Sequence, residues 1–209
     1  MAEEKKQEDN ETAEVTLKQR LCFVTIGATA SFNDLLSAAL SRPFLEALFQ
    51  AGYTDLLLQY GKEEGQHIFE DFIHTHPKGT DGQYGLNING FDFNKRGLGQ
   101  EMRAAKGEQG RREGVVISHA GSGSILDALR IDVPLIVVPN ESLLDNHQAE
   151  LAVELAKQGY VVHGKIGNLA AGIFASEKLR KKQKAWPPIT AGSKRGLAGV
   201  MDDEMGFVD

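Results

Sequence analysis

Six short apolar runs punctuate this chain, and most are followed by a stretch whose apolar residues fall at helical spacing. LCFVTIGA (21–28), TDLLLQYG (54–61), LNINGFDF (86–93), GVVIS (114–118), VPLIVVPN (133–140) and YVVHG (160–164) read as strands. They are too apolar to alternate cleanly, which is the pattern of strands covered on both faces. Between them, 31–52, 62–76, 96–113, 124–131, 145–160 and 169–184 read as helices, some with polar insertions. Strands alternating with helices predict an α/β fold, a Rossmann-like mainly parallel sheet with helices on both faces.

Local signals refine the boundaries. Asn33 or Asp34 is a candidate cap for the first helix, Gly52 its stop, and Pro43 predicts a kink or break inside it. Asp145 or Asn146 is expected to cap the helix that Gly159 ends. The polar stretch at about 105–113 reads as an insertion before the fourth strand. The charged stretch 1–18 and the Gly-rich stretch from 187 onward are expected to be disordered tails around one domain, 19–186.

Composition removes several function classes. The net charge is -6, which argues against nucleic acid as a partner. No run reaches the roughly 18 apolar residues that cross a bilayer, so no membrane span of its own is expected. The single cysteine, Cys22, heads an apolar run and is expected to be a core residue, not a nucleophile. His74 and His76 lack partners at ligand spacing and read as a surface loop, so no metal site is expected. A P-loop, a dinucleotide fingerprint and a nucleophile elbow all fail by spacing or register.

In sheets of this kind ligands bind outside the carboxyl ends of the strands. That rule selects Gly27–Ser31, Ser118–Ser124 and Pro139–Gln148. In SHAGSGSILDAL, VVIS breaks into small residues, Ala120, Gly121, Ser122, Gly123 and Ser124, and a helix then begins near Ser122. Free N–H groups at such a helix start suit phosphate. Asp127 follows Ser124 by one turn, where a carboxylate accepts two hydrogen bonds from a ribose diol. Asn146, His147 and Gln148 offer donors and acceptors suited to sugar hydroxyls.

FVTIGATASFNDLL, GFDF and VVISHAGSGSILDALRIDVPLIVVPNESLLDNHQAELAVELAKQGY together resemble a known family. It comprises the catalytic subunits of the UDP-N-acetylglucosamine transferase that adds the second sugar to dolichol diphosphate-linked GlcNAc. The chain also resembles the C-terminal half of the bacterial murein glycosyltransferase, of family 28 and GT-B architecture. The resemblance implies one donor-binding half of a GT-B enzyme, with UDP-GlcNAc as donor and no cofactor. It places Gly27, Ala28 and Thr29 near the diphosphate, and His119, Ala120, Gly121, Ser122, Gly123 and Ser124 along the nucleotide-sugar cleft. Asp127 falls at the ribose position, and Asn146, His147 and Gln148 at the GlcNAc contacts. It further implies a membrane-anchored, acceptor-binding partner subunit, a lipid-diphosphate-GlcNAc acceptor, and a place at the cytosolic face of the endoplasmic reticulum. The last helix, with its basic run KLRKKQK before Trp186, is a candidate docking element or a solvated face. His119, His147 or a group of the partner is the candidate base. A non-catalytic nucleotide-sugar module and a stand-alone transferase acting on a small acceptor remain the alternatives.

Overall fold

The computed structural model describes residues 19–27, 31–108, 110–140 and 147–185. The elements are β1 (Arg20–Thr25), α1 (Asn33–Ala39), α2 (Arg42–Gln50), β2 (Asp55–Gln59), α3 (Glu64–Thr75), β3 (Asn87–Phe91), α4 (Gly99–Lys106), β4 (Arg112–His119), α5 (Ser122–Ile131), β5 (Leu135–Val138), α6 (His147–Lys157), β6 (Val162–His163) and α7 (Leu169–Ala185). All strand pairs are parallel, in the order β3-β2-β1-β4-β5-β6. The order reverses between β1 and β4, so a crevice opens there at the carboxyl ends.

Successive side chains along a strand point to opposite faces, and both faces are covered. On one face Cys22, Val24, Leu56, Leu58 and Ile117 pack with Leu35 and Leu36 of α1, Phe44, Leu45 and Leu48 of α2, and Ile173 of α7. On the other, Phe23, Val116, Leu135 and Val137 pack with Met102 of α4, Ile125 and Ala128 of α5, and Leu155 of α6. Cys22 is fully buried, and burial raises its thiol pKa far above the ordinary value, as suits a core residue.

Pro43 acts as a break. α1 stops at Ala39, and Ser41, in extended conformation, starts α2 with Pro43 in its first turn. A proline there removes only an N–H that has no helical partner. The cap expected at Asn33 or Asp34 is not formed: the N-cap position is Phe32 with no side-chain cap bond. Asn33 instead donates from Nδ2 to Glu64 Oε2 at 2.6 Å, tying α1 to the start of α3. The insertion is also shorter than the sequence predicts, because β4 already begins at Arg112. Arg20 pairs with Arg112 and Cys22 with Val115, so β4 carries one extra residue and bulges. Gly114 sits in that bulge, where a Cβ would overlap the Leu21 carbonyl oxygen.

Arg20 is buried at 4% exposure beneath the amino end of the sheet. Its Nε donates to the Glu113 carbonyl oxygen at 2.9 Å, Nη1 to that of Ala51 at 2.6 Å, and Nη2 to Glu177 Oε1 at 2.6 Å. Its guanidinium lies 4.2 Å over the Tyr53 ring, and Tyr53 also donates to Glu177 Oε1 at 3.0 Å. Arg180, within the basic run of α7, turns inward as well, donating to the Glu113 carbonyl oxygen at 2.7 Å and pairing with Glu177. The run is therefore not a uniform solvated face. Lys178, Lys181 and Lys182 are its exposed basic residues among those described.

A buried cation stripped of its partner is costly, typically about 3–5 kcal/mol. Glu177→Ala leaves Arg20 two carbonyl acceptors and the tyrosine face, so a loss of about 2–3 kcal/mol is expected. Urea unfolding of the variant measures it, and a loss below about 0.5 kcal/mol would show the pair to be dispensable.

Candidate functional site

The carboxyl end of β1 turns at Gly27, whose φ of +85° is a left-handed conformation that glycine adopts without strain. Its N–H donates to Thr25 Oγ1 at 3.2 Å, a local turn closed by a side chain. The carboxyl end of β4, next to β1 in the sheet, delivers His119. Its ring lies against Gly27: a Cβ there would stand 2.5 Å from Cε1 and 2.6 Å from Nε2. A Cβ on Gly121 would overlap Nε2 as well. Two glycines thus form a slot for one imidazole, and neither can carry a side chain while the ring stays where it is.

Nδ1 of His119 is buried with no hydrogen-bond partner among the described residues. Burial lowers the imidazole pKa below its ordinary value of 6.5. A neutral ring offers one N–H and one lone pair. The unmet nitrogen marks a group able to bond a ligand at the crevice.

Behind His119, Gly121 occupies the N-cap position of α5 with no side-chain cap bond. Ser122, Gly123 and Ser124 form the first turn. Their N–H groups have no intrahelical acceptors, and the helix dipole adds a partial positive charge. Ala120 is buried at 2% exposure and packs into the core beneath the turn. Gly123 and Asp127, four residues apart, share the exposed side of α5. The Asp127 side chain is 58% exposed, with Arg130 3.6 Å away, so it is free to meet a ligand over the helix start.

β5 ends on the same edge, followed by Pro139 and Asn140, and α6 starts there at His147. Gln148 Oε1 accepts from the buried Asn140 N–H at 3.5 Å, turning that side chain back toward the end of β5. Ala28, Thr29 and Asn146 lie outside the described residues, as does the His147 side chain. The structure therefore brings Gly27, His119, Gly121 and the first turn of α5 to one crevice, with Gln148 farther along the same edge.

Two buried polar residues beneath the crevice were not selected from sequence. Thr25 is fully buried and Gln59 is 2% exposed. The Thr25 hydroxyl donates to Gln59 Oε1 across the β1–β2 pair. Their only signal in sequence is a polar residue closing each apolar run, FVT and LLLQ. The cavities at the other edge do not compete as the site. One of about 370 Å³, lined by Lys106, Glu113, Tyr160 and Arg180, and another beside Asp55 and Asn87, lie toward the amino ends of the strands and contain none of the turn residues.

The His119 environment carries a pH signature. Because the folded ring has the lower pKa, the unfolded chain binds more protons as pH falls past 6.5. Stability is therefore full above about pH 6.5 and declines with acidification from there until the folded ring itself titrates. NMR titration of His119 is expected to give a midpoint below 6.5. His119→Gln is expected to flatten the fall in unfolding free energy over this window. A midpoint at or above the ordinary imidazole value would refute the buried neutral ring.

Comparison with known proteins supplies the lineage. Residues 21–164 match the glycosyltransferase family 28 C-terminal domain. The UDP-N-acetylglucosamine transferase subunit ALG13 of Saccharomyces cerevisiae is 35% identical over 164 residues, which cover 69% of this chain and 77% of the yeast protein. The subunit of the same name from Cryptococcus neoformans is 36% identical over 201 residues, covering 88% of this chain and 96% of its own. Among solved structures, the solution structure of ALG13 superposes with a TM-score of 0.59 at 28% identity, covering 90% of this chain and 96% of that one. Acinetobacter baumannii MurG shares the fold, with a TM-score of 0.51 at 17% identity, and the match spans 83% of this chain and 44% of MurG. With its match over most of the described domain, the chain belongs to glycosyltransferase family 28, as a domain of the C-terminal type.

Proposed function

We propose that this chain is the donor-binding, catalytic subunit of a transferase that moves GlcNAc from UDP-GlcNAc to GlcNAc-diphosphodolichol. The observation that carries the reading is the slot at the sheet's switch point. There a neutral imidazole with an unmet nitrogen sits beside the uncapped start of α5. Relatives similar over most of their length bear the name of a UDP-N-acetylglucosamine transferase subunit, which supports both the donor and the need for a second chain.

In the proposed reaction, the C4 hydroxyl of the acceptor GlcNAc attacks the anomeric carbon of the donor, and the bond to UDP breaks with inversion. Charge gathers on the departing diphosphate. The N–H groups of Ser122, Gly123 and Ser124 face it without having to reorganise, which is the economical form of electrostatic catalysis. The Gly27 turn, with Ala28 and Thr29 beyond it, approaches the same phosphates. Asp127 holds the ribose diol, and Asn146, His147 and Gln148 address the sugar. His119, kept neutral by burial, is able to accept the hydroxyl proton or to bond the donor; His147 and a group of the partner are the other bases compatible with the scheme.

The described residues form a single sheet of six strands, and in this reading that sheet is one half of a two-domain cleft. The acceptor half is assigned to a membrane-anchored partner, which would hold the complex at the cytosolic face of the endoplasmic reticulum. Among the described residues no helix is long and apolar enough to cross a membrane. α7 is the proposed docking element, through its outward lysines.

The decisive assay is transfer of labelled GlcNAc from UDP-GlcNAc to a lipid-diphosphate-GlcNAc acceptor, with the chain alone and with the membrane subunit of a relative. Transfer only in the mixture is expected. Transfer by the chain alone would return the acceptor site to this subunit, and binding of UDP-GlcNAc without transfer in the mixture would leave a non-catalytic module. In the active mixture, Asp127→Ala removes charged hydrogen bonds worth about 1.5–3 kcal/mol. The KM for UDP-GlcNAc is expected to rise roughly ten- to a hundredfold. An unchanged KM in the folded variant would take Asp127 out of the site.

A further inference from the structure

The last paired row of the central strands is polar and almost fully buried. Thr25 pairs with Gln59 on one side and with Ser118 on the other. All three are at most 2% exposed, in a sheet whose adjoining positions are Val24, Leu58 and Ile117. Burying polar groups gains nothing over valine or leucine unless their hydrogen bonds accomplish something else. Here each bond leads to the crevice. Ser118 Oγ donates to the His119 carbonyl oxygen at 2.8 Å. Thr25 Oγ1 receives the Gly27 N–H while its own proton is committed to Gln59.

A hydroxyl has one proton and two lone pairs, and its rotor settles where the proton finds the best acceptor. With Gln59 Oε1 in place, the proton points across to β2 and a lone pair is left for the Gly27 N–H. Without that acceptor, the proton would seek another partner, such as a neighbouring carbonyl, and the bond closing the Gly27 turn would lose its fixed geometry. The Gly27 turn is in turn one wall of the slot that holds His119.

We propose that Gln59 is a positioning residue for the donor site: it orients the Thr25 hydroxyl, which fixes the Gly27 turn and through it the His119 ring. Gln59 acts through Thr25 and is assigned no contact with substrate. The chain of contacts crosses from β2 through β1 to the end of β4. The consequence for transfer rests on the donor-site reading above; the placement of the ring does not.

The test pairs Gln59→Met and Thr25→Val, which remove the acceptor and the hydroxyl at similar volume, with Thr25→Ser, which retains the hydroxyl. Three quantities are read: exchange protection of the Gly27 amide, the His119 ring resonances with their tautomer, and, in the assembled transferase, kcat and KM for UDP-GlcNAc. In the unaltered chain the Gly27 amide is expected to be protected. In both loss variants its protection is expected to fall at least tenfold and the His119 resonances to move, while Thr25→Ser keeps both near their original values. Where transfer is measurable, the loss variants are expected to lose roughly tenfold or more in kcat/KM, with Thr25→Ser recovering most of it. Folded loss variants with unchanged His119 resonances would overturn the assignment. Should those variants fail to fold, an unprotected Gly27 amide in the unaltered chain would overturn it, and a protected one that loosens on Thr25→Ser would overturn it equally. Moved resonances in a system that never transfers sugar would sustain the positioning role and refute the donor-site reading instead.

Discussion

Everything in this domain hangs on the parallel pairing of β1 with β4. That pairing is where the strand order reverses, and it sets the ends of two strands side by side with their following turns diverging. The crevice is therefore a result of topology before any side chain is chosen. Side chains then determine what the crevice can hold. Two glycines make room for His119, the first turn of α5 supplies outward N–H groups, and the buried row of Thr25, Gln59 and Ser118 keeps the turns from drifting. The apolar layers on either face secure the sheet and reach this edge through Ile26, Ala120 and Val138, which pack beneath the turns.

The two kinds of burial in the domain have opposite effects. Around Cys22, burial silences a reactive atom by suppressing its ionisation. Around His119 the same desolvation keeps an atom useful, because a neutral imidazole retains a lone pair at ordinary pH and a charged one does not. The difference lies in placement: the cysteine sits mid-strand with no route to a ligand, whereas the histidine closes a strand at the open edge of the sheet.

The strand–helix alternation was readable because parallel strands covered on both faces are nearly continuous apolar runs, and turns need small residues. Pro43 announced its break, and SHAGSGS announced the start of α5, because backbone stereochemistry acts locally. What sequence could not show depended on residues far apart in the chain. Arg20 looks like an ordinary charge before a strand until Glu177 and Tyr53 enclose it. Gln59 reads as a strand terminus until Thr25 appears opposite it. The bulge at Gly114 follows from a carbonyl of a neighbouring strand. Asn33 has the right chemistry for a cap, yet its side chain bonds Glu64, and no local pattern distinguishes the two uses.

The ion cluster under the sheet also bears on how the chain reaches its fold. Arg20 belongs to the first described strand and Glu177 to the last helix, 157 residues apart in sequence. During synthesis β1 emerges long before its counter-charge exists. The central strand must then either wait unpaired or tolerate an uncompensated guanidinium until α7 arrives and closes the loop. Contacts of such span are entropically late and slow folding. A chain clipped before α7 would thus lack the carboxylate that Arg20 meets at the amino end of the sheet.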